Sequence, residues 1–109
     1  MDIRQRVSEL LPDELDEDFP SDLGKEFWET MEKIALAWNG GLRAEVTKML
    51  QSEGFSVEWF KWGHSSGFPV LVVKLNPTPE PDIVWDIADR LHELIDGRLR
   101  TNTACLIHP

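Results

Sequence analysis

Cysteine, tyrosine and long apolar stretches are what this 109-residue chain has least of. A single cysteine, Cys105, excludes an internal disulfide and points to a reducing compartment. No run approaches the ~18 apolar residues of a membrane-spanning helix. Residues 1–6 (MDIRQR) lack the apolar segment of a secretory signal, so the expected location is cytoplasmic. Positive charge is also scarce, with 11 Lys and Arg against 20 Asp and Glu and a net charge of −9. That balance leaves no basic stripe for a phosphate backbone and repels anionic lipid, which excludes nucleic acid and membrane surfaces as expected partners. The glycine-rich loops that cradle nucleotide phosphates are missing, and no cofactor is indicated.

What is present is negative charge, unevenly placed. Residues 1–37 hold eleven acids and four bases, a formal charge of −7. The densest run is Asp13, Glu14, Asp16, Glu17 and Asp18. Such a field attracts basic partners and speeds their encounter.

Apolar periodicity predicts an α+β fold. Ile3, Val7, Leu10 and Leu11 mark a first helix, followed by an acidic connector to Pro20. A second helix capped by Ser21 or Asp22 carries Phe27, Met31, Ile34 and Trp38 on one face. Asn39-Gly40-Gly41 breaks the chain, and a third helix fits Leu42 to Glu53. The period then shortens to two. Phe55 to Trp62 reads as a strand, Gly63 to Gly67 as a turn and Pro69 to Leu75 as the returning strand. A proline connector leads into a fourth helix ending at Gly97, and residues 98–107 complete the sheet. The expected architecture is three N-terminal helices followed by a ββαβ unit, with a small antiparallel sheet in the order 2-1-3. One domain over residues 1–109 is expected: helix and connector at 1–20, a helical hairpin at 21–53 and the ββαβ unit at 54–109.

No catalytic residue is identified. Gly63-His64-Ser65-Ser66-Gly67 matches the G-x-S-x-G nucleophile elbow in letters, but that elbow needs a strand-to-helix turn and here it lies between two strands. Asp89, His92 and Asp96 share a helix face, where carboxylates and an imidazole are ordinarily solvated, and no metal site is assigned. Cys105 in an alternating strand reads as a small buried side chain.

The aromatics are more telling. Trp38 and Trp59 are expected in the core. Trp28 lies off the main apolar axis of its helix, and Trp85 falls outside the apolar arc of the fourth helix. If Phe55, Val57 and Trp59 face the helices, then Phe60 and Trp62 face the other way. Trp28, Phe60, Trp62, His64 and Trp85 are therefore the candidate partner or ligand surface, with Asp13, Glu14, Asp16, Glu17 and Asp18 as an acidic patch. The expected function is that of a non-catalytic interaction protein, of inhibitor, immunity or chaperone type, that binds a basic partner and forms a homodimer. The alternative is a small-molecule module with an apolar pocket between the sheet and the N-terminal helices, with Trp62 and His64 at its mouth.

Overall fold

The computed structural model describes residues 2–16, 19, 23–101 and 103–109. Helix α1 (Ile3–Leu10) starts at Asp2, whose carboxylate accepts from the Arg4 backbone N–H at 3.3 Å. Helix α2 (Lys25–Ala37) buries Phe27, Trp28, Met31, Ile34 and Ala35. Its start at Gly24 has no side-chain cap, and Ser21 and Asp22, expected as caps, lie outside the described residues. Trp38–Leu42 form a wide π-type turn, kinked where Gly41 adopts φ 137° and ψ −20°. A side chain there would be strained, so glycine lets α2 run into helix α3 (Arg43–Ser52) through a bend.

Strand β1 (Ser56–Ser65) and strand β2 (Phe68–Asn76) form an antiparallel hairpin. Its turn is only Ser66-Gly67, with φ 51° and 82°, the positive pair that matches hairpin twist. Helix α4 (Pro81–Leu99) begins with proline in its first turn and buries Ile87, Leu91, Ile95 and Leu99. It passes through Gly97, where the sequence predicts a stop, and ends at Arg100 in the left-handed conformation. Strand β3 (Ala104–Ile107) completes the sheet.

The sheet order is β1-β2-β3 with β2 and β3 parallel, which corrects the expected antiparallel 2-1-3 order. Two features explain the difference. Strand β2 is apolar over most of its length and mostly buried, which suits it to lie between two neighbouring strands. The outer edge of β1 is already taken by the N-terminal connector. The Trp62 N–H donates to Glu14 O at 2.6 Å, and the Asp16 N–H donates to Trp62 O at 2.8 Å, so Leu15 pairs beside Trp62. The free edge left for β3 is that of β2.

A second correction concerns the faces. The register shifts between Val57 and Trp59, so Glu58 is an extra, bulged residue. Val57, Phe60 and Trp62 therefore share a face with Leu71, Val73 and Leu75, and Trp59 points the other way with Lys61, Val72 and Lys74. The described strand residues of the core cluster lie on the first face, where the four helices also pack. The opposite face is open and shows Trp59, Phe68 and Leu106. Among the described residues no helix is long and apolar enough to cross a membrane.

Candidate partner-binding surface

Burial takes most of the sequence-predicted aromatic surface into the core. Trp28 is only 6% exposed, stacked among Phe19 and Phe27, with the Arg4 guanidinium 5.4 Å from its ring. Trp62 is 0% exposed and Phe60 is buried with it. Trp38 meets both edge-to-face, at 4.9 Å from Phe60 and 5.4 Å from Trp62. This packing fills the place where a pocket mouth was expected at Trp62 and His64. The His64 ring instead lies 5.4 Å from Phe19 and 6.3 Å from Phe27. Among the described residues, Trp62 Nε1 and His64 Nδ1 have no hydrogen-bond partner.

The acidic patch divides. Asp13 is exposed, while Glu17 and Asp18 lie outside the described residues. Glu14 is half-buried and structural: it accepts from Trp38 Nε1 at 3.2 Å and from Arg43 Nε at 3.1 Å, and it also pairs with Arg43 Nη2. The Arg43 guanidinium lies 5.6 Å from the Trp38 ring. Asp16 packs over Gly63, with Oδ2 3.4 Å from where a β-carbon would stand. The Glu14 carboxylate thus ties the connector to the α2–α3 junction, and Asp16 lies against β1.

Among the described residues, a clustered set of acids without an ion pair lies on α4. At about 100° per residue, Asp82, Trp85, Asp86, Asp89, Glu93 and Asp96 fall within one arc of about 100°. All six are exposed, and Trp85 is 73% exposed. The neighbouring bases are engaged elsewhere, Arg90 with Glu53 and Arg98 with Glu45. Among the described residues, no ion pair neutralises the five carboxylates of this ridge. His92 has left it: Nδ1 donates to Thr103 O at 2.7 Å and anchors the approach to β3. Among the described residues no group of three or more His, Cys, Asp or Glu could hold a metal ion.

Trp85 also forms the rim of an apolar groove of about 490 Å³, with Pro79, Pro81 and Val84 on one wall and Ile107 and His108 on the other. The second wall is fixed by hydrogen bonds. The His108 N–H donates to Val73 O at 2.8 Å, its ring stacks edge-to-face on Trp59 at 5.1 Å, and Lys74 Nζ donates to Pro109 O at 3.0 Å. Only the off-arc position of Trp85 was visible in the sequence. The groove depends on β3 lying beside β2, which brings residues 107–109 to the start of α4.

Nucleophilic chemistry has little support here. Burial pushes the Cys105 thiol up to about 12, so it stays protonated at neutral pH. Ser65 and Ser66 sit at a hairpin tip, not on a strand-to-helix elbow. Comparison with known proteins adds no identification: no protein-family model, curated protein or solved structure matches this chain.

Proposed function

We propose that this protein is a non-catalytic interaction module that binds a basic protein partner through the outer face of α4. The observation that carries this reading is Trp85, a large indole left 73% exposed beside an apolar groove and at the head of an unneutralised acidic ridge. Exposed aromatics of this kind are common interface anchors, and complementary charge speeds docking. Inhibition or chaperoning of a basic, cytoplasmic protein fits both features.

The test is affinity capture with wild type, Trp85→Ala and the double variant Asp86→Lys/Asp89→Lys in parallel. A basic protein retained by wild type and lost from both variants supports the reading. Equal retention by all three would move the interface away from α4. The groove's volume of about 490 Å³ falls within the range of small-ligand sites, which gives one alternative: an apolar ligand bound independently of the ridge. Binding of such a ligand would be insensitive to the double lysine variant.

A further inference from the structure

We infer that the side chain recognised at Trp85 is arginine, carried on a segment whose adjoining apolar residue fills the groove. This rests on the reading of α4 as the partner surface and names what that surface selects. The acidic ridge alone would accept any cation. The indole narrows the choice, because it stands between Asp82, three residues before it, and Asp89, four residues after it, on the same exposed face. A guanidinium can stack flat on the indole while its N–H fork reaches a flanking carboxylate. An ammonium is a compact, strongly hydrated point charge without that planar fit. Asp86 adds a third carboxylate within the same turn. The groove supplies the other half of the recognition. Its walls at Pro79, Pro81, Val84 and Ile107 are apolar and start at the edge of Trp85, so the residue beside the arginine gains by being apolar.

The experiment uses the full chain and three blocked decapeptides that differ only at four positions around a central leucine, filled by arginine, lysine or neutral citrulline. Dissociation constants are measured by calorimetry in low salt. The arginine peptide should bind about two- to fivefold more tightly than the lysine peptide, the size of an exposed cation–aromatic contact. The citrulline peptide should lose most of the affinity. Trp85→Ala should abolish the arginine preference, bringing the arginine and lysine peptides to one common, weaker affinity, and Trp85→Phe should keep part of the preference. Equal binding of the arginine and lysine peptides, or an arginine preference that survives Trp85→Ala, overturns the assignment. So does failure of all three peptides to bind. In each case, Trp85-dependent capture of a basic protein would still separate the wider reading from this one.

Discussion

Truncating two tryptophans to alanine should have opposite consequences for stability and for binding. Trp62 is 0% exposed and touches Trp38 edge-to-face at 5.4 Å, in the middle of the layer between helices and sheet. Removing a buried indole forfeits its transfer free energy and leaves a cavity, a loss of about 3–5 kcal/mol. Against a typical total of roughly 5–15 kcal/mol, that is a large fraction. For a chain of this size it lowers the melting temperature by on the order of 20 °C. Trp85, 73% exposed, should cost no more than about 0.5 kcal/mol and leave the melting temperature almost unmoved. Thermal unfolding followed by circular dichroism measures both variants. A Trp62→Ala protein that melts with wild type, or a Trp85→Ala protein that falls as far as Trp62→Ala, would refute the division into core and surface on which the functional reading depends.

Three further outcomes are expected. Glu14→Ala leaves Trp38 Nε1 without its acceptor and should cost about 1–3 kcal/mol in urea denaturation, with Glu14→Gln recovering part of the loss. Gly41→Ala should destabilise by about 1–2 kcal/mol because φ is 137°, whereas Gly40→Ala, with open space and no positive φ, should be neutral or slightly stabilising by the same assay. Cys105 should resist iodoacetamide at pH 8 until the chain is unfolded. Because burial raises its pKa from 9.0 to about 12, the unfolded thiol ionises first, so stability should fall as pH rises from 9 towards 12, and Cys105→Ala should flatten that fall.

The α+β character and the helical faces were readable because periodicity records burial directly. Val7, Met31, Ile34, Val46, Leu50, Leu91 and Ile95 all recur at helical spacing, and all are buried. The sheet was less legible, for reasons that lie outside local pattern. A single bulged residue, Glu58, inverts the facing of Phe60 and Trp62, and alternation alone cannot show where an extra residue enters. The strand order depended on Glu14–Asp16 occupying the edge of β1, a pairing between residues 47 positions apart that no spacing announces. The largely apolar β2, interrupted by Lys74, fits its central place once the edge of β1 is occupied.

The candidate surface shows the same limits. Trp85 stood out because it broke the apolar arc of its own helix. Trp28 broke a narrower axis but still faces inward, because the buried arc of α2 is wide enough to include Ala35 as well. The acidic N-terminal third drew attention by density, yet the structure spends Glu14 on Trp38 and Arg43. The ridge on α4 is sparser in sequence and more exposed in space. Charge density along the chain does not show that Glu14 is engaged by Trp38 and Arg43 while Asp13 is left exposed.

The most direct test of the central claim is a backbone-amide chemical-shift map of the full chain as the captured basic protein is titrated in. The account predicts shifts concentrated on the outward positions of α4 from Asp82 to Glu93 and on Ile107 and His108 across the groove. Shifts confined to Asp13 and Asp16, or to the open sheet face at Lys61 and Leu106, with α4 silent, would contradict it.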